Sequence, residues 1–227
     1  LTGVLGASNS LVGNTAGDLV GKAYDPGTTG VNANGVLFHD LSGGRFALYS
    51  AGWQDASANA VGALTWLTPA SGAVGTISNS NSLTGGAGNP IFSSLGSGYY
   101  SLLSPGWNSG AGAVTVFQPA SAPVGAISSS NSLVNGNASN GNGELTDTTI
   151  VSLGGTLRAV LTPGWNASAG AITGFDLTSG ITGTIGSSIS LTGAAGSELG
   201  DSLAVMQSGN LVVASPGWSG GKGAVTW

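Results

Sequence analysis

The chain carries one histidine, His39, followed directly by Asp40, and serine is abundant. A Ser-His-Asp triad can be drawn from these, with the imidazole as base and the carboxylate orienting it. No Gly-x-Ser-x-Gly turn lies between a strand and a helix to strain and expose a nucleophile. His39 reads instead as a strand-end residue within an insert. A zinc site of ordinary type needs several His or Cys ligands, and cysteine is absent. Nine acids could supply a glycosidase pair: Asp18, Asp25, Asp40, Asp55, Glu144, Asp147, Asp176, Glu198 and Asp201. They fall at mostly non-equivalent places, as solubilising surface acids do. Asp18 and Asp25 form a close acidic pair beside an insert and read as part of a solvated loop. Gly85-Gly86-Ala87-Gly88 lacks the lysine and following helix of a phosphate loop. The expectation is a protein without catalysis and without cofactor or metal.

Four tryptophans are the best candidates for binding: Trp53, Trp107, Trp165 and Trp218. Each follows a small-residue turn at the end of a strand-like run. An exposed indole offers a flat apolar face on which a sugar can stack; a buried one fills space between neighbouring sheets. Packing alone explains a residue repeated at one position in every copy, so glycan stacking is the second reading. Trp66, Trp227, Phe117 and Phe175 close another repeated run and also read as packing. Asn137-Ala138-Ser139 and Asn166-Ala167-Ser168 are glycosylation triplets, meaningful only in a eukaryotic secretory pathway.

Composition says what must position these residues. Of 227 residues 41% are hydrophobic and only 6% charged, where about 25% charged is ordinary. Ser, Thr, Asn and backbone amides must therefore supply the polar surface. There are 42 glycines, and Val, Ile, Leu and Thr dominate the apolar runs. Short strands joined by tight turns are expected. The net charge is −5, and the only bases are Lys22, Arg45, Arg158 and Lys222. Such scattered charges cannot neutralise a run of phosphates, which argues against nucleic acid. No apolar run approaches the roughly 20 residues of a membrane-spanning helix.

Self-comparison reveals repeats. Ser50–Trp53, Ser104–Trp107, Thr162–Trp165 and Ser215–Trp218 share the form Ser/Thr-x-Gly-Trp. Gly-Ala-Leu/Val/Ile-Thr recurs from Gly62, Gly112, Gly170 and Gly223. A Ser-Leu motif recurs from Asn9, Asn81, Asn131 and Ile189. From each of the first three glycines to the next Ser-Leu motif is 19 residues, a constancy that implies a rigid unit. Length varies only between the Ser-Leu and tryptophan motifs, around Lys22–His39 and at Asn135–Gly143, so insertions mark one loop on one face. The second copy offers four strand-like runs: Ile91–Leu95, Tyr99–Ser104, Ala113–Phe117 and Val124–Ser128. Gly96-Ser97-Gly98 marks the first hairpin, with Gly154-Gly155-Thr156 and Gln207–Asn210 in its place later.

The N-terminal LTGVLGASNSL matches ITGTIGSSISL at Ile181–Leu191, whereas the last copy stops at Trp227, before that strand. Residues 1–8 are therefore expected to complete the last repeat, within the chain, within a longer parent chain, or by exchange with another chain.

The last copy, with Leu199-Gly200, Ala214-Ser215-Pro216 and Gly223–Trp227, resembles the FG-GAP repeat of integrin-α-type β-propellers. It is similar too to the degenerate propeller repeats of giant bacterial surface adhesins. The resemblance implies propeller blades and an extracellular role. Many blades of that family bind calcium in the hairpin through clustered Asp and Asn. Leu41–Gly44, Leu95–Gly98, Leu153–Thr156 and Gln207–Asn210 offer no such cluster, so calcium is not carried over.

The sequence thus predicts one all-β repeat domain over residues 1–227, with repeats starting near Asn9, Asn81, Asn131 and Ile189. Each repeat holds about four antiparallel strands in a propeller-like array; an arc of a larger propeller or a β-solenoid is the alternative. The expected role is a non-catalytic structural or adhesive module at a cell surface or outside the cell, in an adhesin, sheath or filament. Its expected partners are further copies of itself, neighbouring repeats of a longer chain, or surface glycans. A lectin-like propeller is the alternative.

Overall fold

Glycine pairs and β-formers produce the hairpins where the sequence places them. A computed structural model describes residues 4–18, 20, 37–68, 70, 72, 74–86, 90–136 and 145–227. Lys22, Asp25, Glu144, the sequon at Asn137 and most of the insert 135–143 lie outside these. The chain is all-β. In order the strands are β1 (Leu11–Val12), β2 (Leu37–Leu41), β3 (Arg45–Ser50), β4 (Ala63–Leu67), β5 (Gly75–Thr76), β6 (Ser82–Thr84), β7 (Ile91–Gly96), β8 (Tyr99–Ser104), β9 (Ala113–Phe117) and β10 (Gly125–Ala126). They continue with β11 (Leu133–Val134), β12 (Thr149–Gly154), β13 (Leu157–Thr162), β14 (Ala171–Asp176), β15 (Gly183–Thr184), β16 (Leu191–Thr192), β17 (Ser202–Val205), β18 (Leu211–Ser215) and β19 (Ala224–Thr226).

The chain resolves into two compact units: Leu1–Trp107 with Phe117–Ile127, and Asn108–Val116 with Ser128–Trp227. In the first, β2, β3, β4 and β6 form an antiparallel meander, and β7 pairs with β8. Gly96 (φ 84°), Ser97 (φ 53°) and Gly98 (φ 76°) turn the second hairpin, a conformation glycine adopts at little cost. In the second unit, β12, β13, β14 and β16 form the same meander, β17–β18–β19 form three strands of another, and β9 pairs with β11.

One expectation is corrected. Val124–Ser128 was read as the fourth strand of its own copy. Its ordered part is only β10, and β10 runs parallel to β6 of the preceding repeat, Gly125 opposite Leu83 and Ala126 opposite Thr84. β5 lies likewise against β1, and β15 against β11. In three of the sheets the fourth strand is the Ser-Leu motif itself. Ala63 faces Thr84 and Leu64 faces Leu83; Ala113 faces Val134 and Val114 faces Leu133; Ala171 faces Thr192 and Ile172 faces Leu191. β6 and β11 are thus each flanked on one side by their own repeat, antiparallel, and on the other by a two-residue link from the repeat that follows.

The cores lie between successive sheets of each unit. Ala159, Leu161, Ile172, Leu199 and Val213 cluster in the second, with Val151, Leu153 and Leu203 packed on them. β1 forms a two-stranded sheet with β5, and β19 is the edge strand beside β18. Of the residues expected to complete the last repeat, none of 4–8 forms a strand, and 1–3 lie outside the described residues.

Candidate functional site

The second strand of each hairpin ends on a buried hydroxyl residue: Ser50, Ser104, Thr162 and Ser215. The chain then turns through left-handed residues, Asn108 (φ 48°) and Ser109 (φ 58°), Asn166 (φ 52°) and Ala167 (φ 56°), and Ser219 (φ 54°). Each costs of order 1–3 kcal/mol and persists only where its surroundings dictate it. A glycine closes the turn. A Cβ on Gly170 (φ 78°) would stand 2.3 Å from the Leu199 carbonyl oxygen, so only glycine admits the next repeat this closely.

This turn directs the tryptophans inward. Trp53 is 6% exposed and Trp165 8%, while Trp107 is half-buried. Trp53 packs with Ala63 and Ile77, against Leu11, Val20 and Val61. Trp107 donates its indole N–H to the Ile127 carbonyl at 3.1 Å. Ile77, Ile127 and Ile185 occupy one position in successive links, and all are buried. Their amides donate to the preceding Ser-Leu strand: Ile77 to Val12 at 3.0 Å, Ile127 to Thr84 at 2.8 Å, Ile185 to Val134 at 2.9 Å. Trp218 is 49% exposed. A sugar-stacking ring has to show a face to solvent. Of the four candidates Trp218 shows one, and Trp53 and Trp165 do not.

Three of the repeats hold a pair of hydroxyls that sequence reasoning missed. Thr65 Oγ1 and Ser82 Oγ are 2.8 Å apart, Thr115 and Ser132 2.7 Å, and Thr173 and Ser190 2.7 Å. In the first two the serine also donates to the preceding asparagine, Ser82 to Asn81 at 2.9 Å and Ser132 to Asn131 at 3.1 Å. Asn81 Oδ1 also accepts the Ser78 amide, and its Nδ2 donates to the Thr76 carbonyl. A neutral network therefore ties strand to strand in the interior. The constant spacing of the two motifs was the signal that could have found it.

The chemistry-bearing residues do not converge. His39 is not at a strand end; it lies within β2, opposite Ala47, and its ring stacks on Phe92 with centroids 4.1 Å apart. Burial holds its pKa below the ordinary value. Asp40, next along the strand, is exposed and points to the other face by strand alternation, so the two do not assemble a triad. Asp18 is not solvated: it is buried and accepts from the Asn14 and Thr15 amides, the Thr15 hydroxyl and the Gln54 amide. Burial opposes its ionisation, yet these bonds together outweigh it and leave the pKa below the usual carboxylate value. Asp55 and Asp176 are also lowered, first by the Asn59 amide and the Thr156 hydroxyl respectively. Among the described residues no three His, Cys, Asp or Glu side chains gather as metal ligands.

A family described as a repeat of unknown function (DUF5650) matches residues 1–22, 40–90, 94–144, 159–201 and 205–227. The match fits a repeat protein but is not specific to FG-GAP. Each internal match spans the end of a hairpin, the strand after the tryptophan turn, the link and the Ser-Leu strand. No curated protein matches the chain. With these repeats covering most of its length, the chain belongs to the DUF5650 repeat family.

Proposed function

We propose that this chain is a non-catalytic structural and adhesive module outside the cell or on its surface, in an adhesin, sheath or filament. The observation that carries this reading is the interlocking of repeats. The Ser-Leu strands β1, β6 and β11 are each covered by a link from the next repeat, and the repeated tryptophans serve that joint. An interlocked array of one module suits a scaffold that spans distance. The low charge and abundance of hydroxyl residues fit a weathered extracellular surface. Degenerate propeller repeats of the FG-GAP kind are the finer family reading.

The glycan-binding alternative rests on the exposure of Trp218. Two experiments test the proposal. Immunogold labelling of intact source cells should decorate their surface or surrounding fibres; label confined to the cell interior would sink it. A glycan array and a screen for ester, peptide and glycoside hydrolysis should both stay blank. Glycan binding lost in Trp218→Ala would establish the lectin reading instead.

A further inference from the structure

We infer that β7 is a self-association edge: β7 of one copy pairs antiparallel with β7 of a second copy, about a two-fold axis at Ser93. The purpose of the contact, joining copies side by side, rests on the scaffold reading; its geometry does not.

β7 is the outermost strand of its sheet, with β8 on one side and no strand on the other among the described residues. Such an edge offers unpaired amides and carbonyls, and proteins commonly blunt it with charge. The other outer edges carry charge or adjoin it. β2 holds His39 and Asp40, Arg158 lies opposite Ser152 of β12, and Asp201 directly precedes β17. β7 has no such guard: residues 56–143 contain no Asp, Glu, Lys, Arg or His. Ile91 on it is 51% exposed, and Ser93 and Ser94 are exposed too. His39 of the first repeat stacks on Phe92. That contact lies on a face of the sheet, where side chains point, and leaves the backbone edge open.

Charge and symmetry name the occupant. The chain has a net charge of −5, so two copies repel where their acids meet and approach without that cost at the uncharged repeat. A charged partner gains nothing at this edge. An antiparallel strand alternates residues whose N–H and C=O point to one side with residues whose groups point to the other. Paired with its own copy about an axis through a residue, it sets hydrogen-bonding positions opposite hydrogen-bonding positions, whichever set points outward.

The ends of the strand fix the register. An axis at Phe92 would bring Pro90, which has no amide, into the ladder. An axis at Ser94 would centre the pairing on the irregularity between Ser94 and Gly96. The axis at Ser93 places Ser93 opposite itself, Phe92 opposite Ser94 and Ile91 beside Leu95, where it gains an apolar neighbour across the strands. Both copies use one surface, so the contact is isologous and closes at two. A short edge is a weak contact by itself, but copies crowded on one scaffold meet at high effective concentration.

Opposed residues of antiparallel strands stand about 4.5–5.5 Å apart at Cα, within reach of a disulfide, and the chain has no cysteine of its own. Covalent trapping therefore reads a weak contact. The Ser93→Cys chain is mildly oxidised beside the Ser129→Cys chain, whose serine is exposed in a turn away from this edge. Ser93→Cys should dimerise several-fold faster. Adding Ser94→Lys or, separately, Ile91→Lys should remove the excess, while Ser152→Lys on β12 should leave it intact. Thermal melts of the lysine variants show that each still folds. Equal rates for the two cysteine chains, or no dimer, would overturn the inference. So would a dimer that survives both edge lysines, or one that Ser152→Lys abolishes as well. Cell-surface labelling is unaffected by any of these outcomes, so the two readings fail separately.

Discussion

Trp107 donates its indole N–H to the Ile127 carbonyl, whereas the buried Nε1 atoms of Trp53 and Trp165 have no hydrogen-bond partner among the described residues. One motif therefore occupies two energetic situations. A satisfied buried bond contributes about 1 kcal/mol, and an unsatisfied donor costs about 1–3 kcal/mol. Replacing Trp107 site-specifically with benzothienylalanine, which keeps the ring shape and removes the N–H, should cost about 1 kcal/mol. The same replacement at Trp165 should be neutral or stabilising. Urea denaturation of both variants checks this, and equal losses would contradict it.

The Thr115–Ser132 pair should behave as a coupled unit. Ser132→Ala strands a buried threonine hydroxyl and should cost about 1–3 kcal/mol. Thr115→Val beside it removes the stranded group. A double-mutant cycle should show a coupling of about 1 kcal/mol; strict additivity would mean the hydroxyls ignore each other.

Gly170 and Gly209 both have positive φ, but only Gly170 has backbone where a side chain would go. Gly209→Ala meets open space and should cost only the left-handed penalty, about 1–2 kcal/mol. Gly170→Ala adds a collision with Leu199 and should cost about 3 kcal/mol or more. Thermal melts of the two variants would separate strain from contact.

Acid should destabilise the fold in two stages. His39 titrates lower when folded, so the unfolded chain takes up its proton more readily. Stability is full above about pH 6.5 and falls as the pH drops below it. Asp18 also titrates lower when folded. Its contribution is present above about pH 4 and is lost as the pH falls through the folded pKa. His39→Phe should remove the first stage and Asp18→Asn should shrink the second. An unchanged profile in His39→Phe would assign the first stage elsewhere.

The hairpins were legible because their turn glycines and strand periodicity are local. The tryptophan motif and its packing were legible from its recurrence, but the partners were not, because they are isoleucines 20 or more residues later, such as Ile77 after Trp53. The link strands escaped for a related reason. A two-residue strand has no periodicity, and its parallel partner belongs to another repeat. Asp18 was misread because one of its donors, the Gln54 amide, is far along the chain.

The order in which each sheet is completed gives the array a direction in time. The link that covers β6 is β10, so β6 is already made while its outer partner is still unsynthesised. A nascent or secreted chain that emerges from its N-terminus therefore always ends in one open repeat, and each new module seals the one before it. Folding then advances like a zip fastener, one tooth behind the growing end, and a stalled chain displays a single sticky edge rather than many.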